Sequence, residues 1–342
     1  MKSELVEAAT SNEACLSGVA YPSEPASDVA AHTAPTSKSV ASGRVLIALA
    51  AVLWSTSGFF VKAPWFDAWP ADVRGVMLAF WRSFFAVLIL APLIRRPSLH
   101  WQLLPMSVCF AVMVWSFMAA MVHGPAANAI WLQYLAPAWV FLGGLWLLKE
   151  KATMPDIRML AFCLSGVLLI LSMEMLGGRS PYATAMGLLS GVAFAGVVLA
   201  LRACPGVDSA WSMTLNHLAT VLLLSPWVWQ HASAAGSAAV SWNAYFALAL
   251  FGILQISLPY LMFARGLRTT NSLEASALTL IEPILVPIWV YLAWHHHPSY
   301  DAPRWWTWAG GLLILVGLLS RYLPPLLRTW YLASASPRNV TG

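Results

Sequence analysis

Ten apolar stretches follow Arg44, and each is about as long as the ~20-residue helix that crosses a bilayer. Backbone polar groups in hydrocarbon have to be satisfied within the protein, which only helices and closed barrels achieve. The stretches are rich in Leu, Ala and Val and lack the alternation of ~10-residue barrel strands, so they predict an all-α integral membrane protein. The predicted spans, numbered one to ten, are 45–62, 74–94, 103–122, 126–148, 157–175, 185–203, 211–230, 243–265, 273–294 and 305–323.

The composition excludes several classes of protein. Hydrophobic residues make up 59% of the 342 residues and charged residues 10%, against roughly 25% charged residues in ordinary globular chains. So few charges cannot cover a soluble surface, which excludes a cytosolic enzyme and a nucleic-acid-binding protein. No GxxxxGK[ST], HExxH or GxSxG pattern occurs, so the sequence predicts neither catalysis nor a cofactor. The four cysteines form no CxxC pair and are predicted to be packing residues without a metal.

Both ends of the chain are predicted to lie outside the helical bundle. Residues 1–43 are rich in Ala, Ser, Pro, Thr and Glu. Such a segment cannot bury enough apolar area to offset the entropy of ordering, which predicts a disordered tail. Its early acidic residues are unlike a secretory signal. Residues 324–342 are predicted to form a second, cytoplasmic tail.

The distribution of basic residues predicts the orientation. With the amino terminus in the cytoplasm, fourteen of the 19 Lys and Arg residues fall on the cytoplasmic side and four outside, while Arg82 lies inside span two. Cytoplasmic loops carry an excess of these residues. We therefore expect a multi-pass protein of the cell inner (plasma) membrane with both termini in the cytoplasm.

The chain divides into two similar halves, predicted as repeats over residues 44–178 and 183–323. Because each copy has five spans, the second copy has to enter the membrane from the opposite side, which predicts inverted repeats. Secondary transporters commonly have this architecture, with a site near the membrane midplane. The aligned pairs are Trp54 with Phe194, Lys62 with Arg202, Arg82 with Asn216, Pro92 with Pro226, Pro137 with Pro283, and segment 165–169 with segment 310–314.

Short motifs occurring in order along both halves resemble those of the drug/metabolite transporter superfamily, of the EamA type. In the first half they are LWSTSGFFVK at 53–62, FWRSF at 80–84, and YLAP at 134–137 with KEK at 149–151. In the second half they are YLMFARGL at 260–267 and ASALTLIEP at 275–283. The end of span nine departs from the family pattern, which usually has Gly-Glu there, so a role for that Glu cannot be transferred.

The resemblance implies a ten-helix secondary transporter that moves a small-molecule substrate across the bilayer by alternating access, driven by a gradient. It also implies a central cavity lined mainly by spans one to four and six to nine, with spans five and ten at the periphery. The breaks expected at Pro137 and Pro283 are candidate hinges. The sequence makes no prediction of oligomeric state.

Two ionisable residues inside the spans need a physical reason, because a charge at the bilayer centre costs at least ~2.5–3.5 kcal/mol. Arg82 is a candidate anchor for a substrate carboxylate or phosphate, or a structural donor to backbone carbonyls. Glu282 precedes Pro283, which removes the helical partner of the Thr279 carbonyl. It is a candidate for proton exchange or for binding an amine, with a locked pair at a kink as the alternative.

Six further side chains complete the predicted substrate site. His217 titrates near neutrality in water and is either a proton carrier or a structural residue. Aromatic rings at midplane depth suit aromatic or cationic substrates, with plain interhelix packing as the alternative. Asn128, Trp131 and Tyr134 are spaced by three and are expected to share one helix face. The predicted substrate-binding residues are Trp54, Arg82, Asn128, Trp131, Tyr134, His217, Tyr260 and Glu282.

The site residues favour amino acids or similar small organic metabolites as substrates, because Arg82 and Glu282 provide opposite charges and the aromatic rings provide stacking. The resemblance implies export or uptake of such metabolites, and export is the expected direction. One alternative is a nucleotide-sugar or sugar-phosphate exchanger, which should have several basic residues in its cavity. Another is a non-transporting membrane scaffold or receptor. The run His295–His297 is expected to form an exposed polar loop, since three adjacent histidines cannot all face one tetrahedral metal.

Overall fold

A computed structural model describes residues 37–147, 152–177, 181–204, 207–236 and 241–335. Over these residues the regular structure is entirely helical, as the apolar stretches predict. The α-helices are α1 Ser37–Trp54, α2 Ser57–Val61, α3 Ala71–Leu90, α4 Leu103–His123, α5 Ala126–Gln133, α6 Ala136–Leu147, α7 Met154–Leu176, α8 Pro181–Arg202, α9 Ser209–Gly236, α10 Trp242–Gly252, α11 Leu258–Gly266, α12 Ser272–Thr279, α13 Glu282–Trp294 and α14 Trp305–Ala335.

Nine of the ten predicted spans coincide with helical segments that are long and apolar enough to cross a membrane, among the described residues. The exception is span seven. It coincides with α9, a 28-residue helix that is long enough but less apolar. Asn216 and His217 contribute to this polarity, and both are buried inside the bundle. Polar residues of a membrane helix commonly face protein in this way.

Two helices extend beyond the predicted ends of the bundle. α1 begins at Ser37, so residues 37–43 are helical although the tail was expected to reach residue 43. α14 continues to Ala335, so residues 324–335 extend the helix of span ten. Leu326 is buried, which stabilises this extension through apolar contact. Residues 1–36 and 336–342 of the predicted tails, and the KEK motif at 149–151, lie outside the described residues.

Span one is broken between α1 and α2. The hydroxyl of Ser55 donates to the carbonyl of Val52, and that of Thr56 donates to the carbonyl of Leu53, each over 2.6 Å. Side-chain donors of this kind compete with the helical ladder for carbonyl groups. The break therefore has a local cause in the sequence, although no proline marks it.

Three other irregularities each precede a proline. Pro137 and Pro283 are the second residues of α6 and α13, and they follow the breaks that divide spans four and nine. Pro259 is the second residue of α11 and follows a π-helical segment, Ile253–Ser257, in span eight. Proline has no N–H, so the carbonyl four residues earlier loses its helical partner. Backbone groups released at these breaks need other partners inside the bundle.

The two halves pack against each other along most of their length. Among the described residues, the main packed pairs between the two halves are spans five and ten, three and six, one and eight, two and seven, two and eight, three and seven, four and six, and one and nine. Each span of one half corresponds to the span five places later or earlier in the other half. The set of packed pairs is unchanged when every span is replaced by this counterpart. Three–six becomes eight–one, four–six becomes nine–one, and two–seven and five–ten become themselves.

Spans five and ten approach until their backbones touch. A Cβ atom added to Gly166 would lie 2.4 Å from the carbonyl oxygen of Gly310, and one added to Gly310 would lie 2.6 Å from that of Gly166. Small residues permit such approach between membrane helices, where close packing drives association. These two glycines belong to the segments that the sequence alignment pairs.

The outer surface of the bundle is apolar and the interior holds polar groups. Trp146 and Trp229 are each 84% exposed, and Leu222 is 62% exposed. Arg82 and Asn128 are buried. A soluble protein has the opposite distribution, whereas a helical bundle in lipid needs an apolar exterior. This distribution agrees with the predicted membrane protein.

Candidate functional site

A cavity of about 210 Å³ lies inside the bundle, next to the helix breaks. Spans one to four and six to nine provide most of its lining residues, and span ten contributes Leu318 and Tyr322. Span five provides none of the lining residues. The polar and aromatic residues that line it are Trp54, Arg82, Phe110, Phe117, Gln133, Tyr134, Phe194, His217, Gln255, Tyr260, Ser276, Thr279, Glu282 and Tyr322.

The cavity lies mainly in one half of the bundle. Spans three, seven and nine line it mostly with residues from their first halves or middle, such as Phe110 in span three and Ser276 in span nine. Trp54 lies at the middle of span one, and Phe117 lies in the second half of span three. Even-numbered spans contribute residues from their middle or second halves, such as Val198 in span six and Tyr322 in span ten. Because successive spans run in opposite directions, most of these positions lie toward the end at which span one begins.

Arg82 lies in the middle of α3, with its side chain in the cavity wall and 4% of its surface exposed. Its Nη1 donates to the side-chain oxygen of Gln255 over 3.0 Å. The guanidinium carbon lies 5.2 Å from the ring centre of Phe251, a cation–π geometry. Gly252 lets the backbones of spans two and eight approach each other here, because a Cβ there would lie 2.7 Å from the Arg82 carbonyl oxygen.

The guanidinium of Arg82 retains hydrogen-bonding capacity. Its Nε–H has no hydrogen-bond partner among the described residues, and neither does Arg82 form an ion pair with Glu282 there. A buried cation without a carboxylate partner is expensive in a membrane. The arrangement is suited to an anionic group that enters the cavity and accepts from the guanidinium.

Glu282 is the first residue of α13 and contacts Tyr134 across the interface of the two halves. The Tyr134 hydroxyl lies 2.8 Å from Oε2 of Glu282 and 3.0 Å from the carbonyl oxygen of Thr279. The Thr279 carbonyl is the one whose helical partner is removed by Pro283. A residue from the break in span four therefore satisfies a backbone group at the break in span nine.

His217 lies in α9 and lines the cavity near Arg82. Its Nδ1 is 3.2 Å from Oγ of Ser83, and its ring meets that of Phe110 edge to face at 4.8 Å. Ser83 follows Arg82 and His217 follows Asn216, so the hydrogen-bonded pair occupies aligned positions of the two repeats.

Trp54 and Tyr260 also line the cavity. Trp54 is the last residue of α1, and its carbonyl accepts from Nε2 of Gln255 over 3.2 Å. Gln255 thus joins the break in span one to Arg82 in span two. Its polarity within an apolar span and the proline four residues later are the sequence signals for this role.

Asn128 and Trp131 lie outside the cavity lining, whereas Tyr134 lines it. Tyr134 still belongs to the helical turn, because its N–H donates to the carbonyl of Ile130 over 2.9 Å. At 3.6 residues per turn, each step of three rotates the side chain by about 60°, so Asn128 and Tyr134 point about 120° apart. Six of the eight predicted site residues therefore meet in one cavity.

Asn128 instead belongs to a buried polar network between spans four, five and ten. Its Nδ2 donates to Oε1 of Glu174 over 2.9 Å, and its Oδ1 accepts from Thr307 over 2.6 Å. The indole of Trp306 also donates to Glu174 over 2.8 Å. Trp131 packs on Gly311 of span ten, where a Cβ would clash with its ring. Both residues have evident packing roles.

Tyr322 is a cavity residue that the sequence did not indicate. It lies four residues after Leu318 on α14, so the two share a helix face that points into the bundle. Its hydroxyl is buried and has no hydrogen-bond partner among the described residues. The predicted span ten ends at residue 323, which placed Tyr322 at the membrane edge and gave no sign that it lines the cavity.

Aromatic rings pack together at the end of the bundle opposite the cavity. Phe59, Trp65 and Trp294 form a triangle with ring centres 5.2, 6.0 and 5.7 Å apart, which we call the aromatic seal. The Trp294 indole N–H donates to the Phe59 carbonyl over 2.8 Å. Deeper in the bundle, Phe60 stacks on Phe251 at 4.9 Å. These contacts join the ends of spans one and nine.

The histidine run follows α13 near the aromatic seal. Nε2 of His297 lies 3.7 Å from Oδ2 of Asp67, and Arg74 donates to the other oxygen of Asp67 over 2.8 Å. His295 stacks on Tyr291 at 4.7 Å. No group of three or more metal-ligating side chains occurs among the described residues.

The match to a family of known proteins follows the division into halves. Residues 41–172 and 182–322 each match the EamA-like transporter family, and together they make up most of the chain. The chain belongs to the EamA-like transporter family. This membership confirms the resemblance inferred from the short motifs. It makes the protein a multi-pass membrane transporter that acts in a lipid bilayer.

Two relatives match over nearly their whole length. An uncharacterized transporter of Archaeoglobus fulgidus is 26% identical over 299 residues, which cover 81% of this chain and 95% of the relative. The pseudopaline exporter CntI of Pseudomonas aeruginosa is 24% identical over 286 residues, covering 82% and 95%. One solved structure, described only as the crystal structure of a protein, aligns with a TM-score of 0.50 and 17% identity over 83% of this chain and 98% of its own.

Proposed function

We propose that this EamA-like transporter is a secondary-active exporter of amino acids or similar small organic metabolites, working by alternating access in the plasma membrane. The observation that carries the proposal is a cavity with one guanidinium, Arg82, and one carboxylate, Glu282, that do not pair with each other among the described residues. A substrate with both charges can interact with the two groups simultaneously.

The chemistry of the walls supports a small zwitterion. Arg82 provides donors for a carboxylate, and Glu282 provides an acceptor for an ammonium group. Phe110, Phe117 and Phe194 provide apolar area for the remainder of the substrate. We therefore expect amino acids with apolar or aromatic side chains to bind more tightly than polar ones.

Phosphorylated substrates receive less support from this cavity. Arg82 is the one Lys or Arg among its lining residues in the described part of the chain. A nucleotide sugar carries a diphosphate, and protein sites for such groups usually contain several charge-assisted donors. The nucleotide-sugar exchanger is therefore the weaker candidate.

Inverted repeats over residues 44–178 and 183–323 provide the mechanism that we propose. The span pairings are preserved when the halves are exchanged, and Ser83 contacts its aligned counterpart His217. These observations support a two-fold relation between the halves. If the relation is inverted, exchange of the two conformations converts a cavity open to one face into a cavity open to the other.

The direction of transport is proposed from the location of the cavity. It lies toward the end that carries the beginning of span one, which the basic residues assign to the cytoplasm. The aromatic seal packs the opposite end. This arrangement is suited to loading from the cytoplasm, and a relative is named as an exporter.

A ligand screen of the purified protein tests the substrate class. The probes are the common amino acids, the amines that lack their carboxylates, and the carboxylic acids that lack their amino groups. A ligand of the folded state at 100 times its Kd adds about 2.7 kcal/mol of stability. We expect the unfolding temperature to rise with amino acids and to change much less with either truncated series.

Counterflow in proteoliposomes then tests transport by the same protein. Vesicles loaded with the stabilising amino acid should accumulate its labelled form in a saturable way, whereas vesicles without protein should not. Stabilisation by UDP-glucose but by no amino acid would reverse the choice of substrate. Binding without saturable flux would favour a receptor.

A further inference from the structure

The hydroxyl of Tyr134 connects the two aligned helix breaks. Tyr134 follows α5 at the break in span four, and its hydroxyl reaches the carbonyl of Thr279 and the carboxyl of Glu282 at the break in span nine. Pro137 and Pro283, which mark these breaks, are aligned in the two repeats. One side chain therefore links the corresponding flexible points of the two halves.

Tyr134 has one hydrogen for two acceptors. A phenol O–H donates once, while its oxygen can also accept. When Glu282 is ionised it has acceptors only, so the Thr279 carbonyl and the carboxylate share the single hydrogen. The Thr279 carbonyl has no alternative helical donor, because residue 283 is proline. Either the Thr279 carbonyl or the Glu282 carboxylate then has an incomplete hydrogen bond.

Protonation of Glu282 changes this hydrogen-bond pattern. A protonated carboxyl has an O–H that donates to the Tyr134 oxygen, and Tyr134 then donates its hydrogen entirely to the Thr279 carbonyl. Addition of one proton converts a shared bond into a chain of two complete bonds. Hydrogen bonds in such chains strengthen each other.

We propose that Tyr134 is a positioning residue that transmits the protonation of Glu282 to the junction of the two breaks. The bound proton enters from the water on one face of the membrane and leaves to the other. In its protonated form the chain from Glu282 through Tyr134 to Thr279 ties span four to span nine. In its ionised form the charged carboxylate takes the Tyr134 hydrogen. The Thr279 carbonyl then loses its donor, and the break in span nine is free to change its angle.

Only the consequence of this proposal for transport rests on the proposed function. The change of hydrogen bonds itself involves Tyr134, the Glu282 carboxyl and the Thr279 carbonyl alone. Other titratable or charged groups face the same cavity from the neighbouring spans, and their protonation has to be distinguished from that of Glu282. They are Arg82 from span two, His217 from span seven, Tyr260 from span eight and Tyr322 from span ten.

Infrared difference spectroscopy of the whole protein in lipid nanodiscs tests the chemistry without any substrate. Acidification should produce the C=O stretching band of a protonated carboxyl, assigned to Glu282 by its disappearance in Glu282→Gln. We expect Tyr134→Phe to shift this band to higher wavenumber, because the acid loses its hydrogen-bond acceptor. Tyr322→Phe is the matched control, since it removes another cavity hydroxyl and should leave the band in place.

A second measurement tests transmission to the helix break. Ser276→Cys places a thiol in the cavity wall on α12, in a background without the native cysteines. We expect its rate of maleimide modification, corrected for thiol ionisation with a small model thiol, to depend on pH in the parent. This dependence should be lost in Tyr134→Phe and in Glu282→Gln, and retained in Tyr322→Phe.

The outcomes separate a transmitting residue from a merely structural one. An unshifted Glu282 band in Tyr134→Phe, or no Glu282 band across the range in which the protein is folded, overturns the proposal. So does an unchanged pH dependence of Ser276→Cys modification in Tyr134→Phe. If Tyr134→Phe does not fold, Glu282→Asp replaces it, because the shorter carboxyl loses contact with Tyr134 and should show the same upward shift. None of these measurements depends on transport, so failure of the substrate screen leaves them decisive.

Discussion

Arg82 donates from Nη1 to the side-chain oxygen of Gln255 over 3.0 Å, and this bond leaves the rest of its guanidinium beside the cavity. Gln255 lies in the π-helical segment of span eight, a type of irregularity that is frequent at functional sites. The hydrogen bond joins the charge of Arg82, which is unfavourable in a bilayer, to the helix irregularity that precedes Pro259. The position of the charge thus depends on both repeats.

Arg82→Gln should weaken binding of the stabilising amino acid about 10- to 100-fold, because a hydrogen bond to a charged group contributes about 1.5–3 kcal/mol. Titration calorimetry of the purified variant measures this effect. Arg304→Gln is the control, since Arg304 is an exposed arginine of the loop before α14. Equal affinity in the parent and in Arg82→Gln would remove the carboxylate from the proposed substrate contacts.

Trp294→Ala should open the end of the bundle that the aromatic seal closes. The substitution removes two ring contacts and the hydrogen bond to Phe59, together about 1–3 kcal/mol of closed-state stability. Met113→Cys, on the cavity wall of a cysteine-free background, reports the opening through an impermeant maleimide added to spheroplasts. We expect labelling to become several-fold faster.

The control for the seal is Trp305→Ala, which removes a ring of similar size that is 61% exposed. It should leave the labelling of Met113→Cys unchanged. Equally slow labelling of Met113→Cys in Trp294→Ala and in Trp305→Ala would show that the aromatic seal has no gating role.

The inverted arrangement predicts opposite locations for the ends of spans one and six. Ala68→Cys follows span one and Ala203→Cys follows span six, and both positions are exposed. In intact cells an impermeant maleimide should modify Ala68→Cys, whereas Ala203→Cys should react only after permeabilisation. Modification of both from the same face would exclude inverted repeats and the mechanism based on them.

Gly166→Ala should destabilise the contact between spans five and ten. The new Cβ would lie 2.4 Å from the Gly310 carbonyl oxygen, which backbone atoms cannot avoid without moving the helices. Overpacking of this kind costs about 1–3 kcal/mol. Gly143→Ala is the matched control, because the nearest atom there is a terminal methyl of Leu199 that can rotate away. Thermal unfolding in detergent should show a lower midpoint for Gly166→Ala alone.

Some of the candidate site was accessible from the sequence. Placing an ionisable residue in an apolar span costs free energy, so such a residue is unusual there. The sequence alone therefore indicated Arg82 and Glu282 as candidates. Pro283 likewise identified the Thr279 carbonyl as a group without a helical partner. Nothing in the spacing indicated that Tyr134, 145 residues away along the chain, donates to that carbonyl.

The sequence by itself determined the helical class, the locations of the spans and the family, because hydropathy and backbone hydrogen bonding in a bilayer are properties of each segment alone. Only the tertiary structure decided which polar residues meet. Tyr134 lines the cavity, whereas Asn128 and Trp131 lie in packing contacts, although all three belong to one helical segment. Helix periodicity fixes the angles between these side chains. Which of them meets the cavity, and which distant spans the others contact, follows from packing that no local pattern contains.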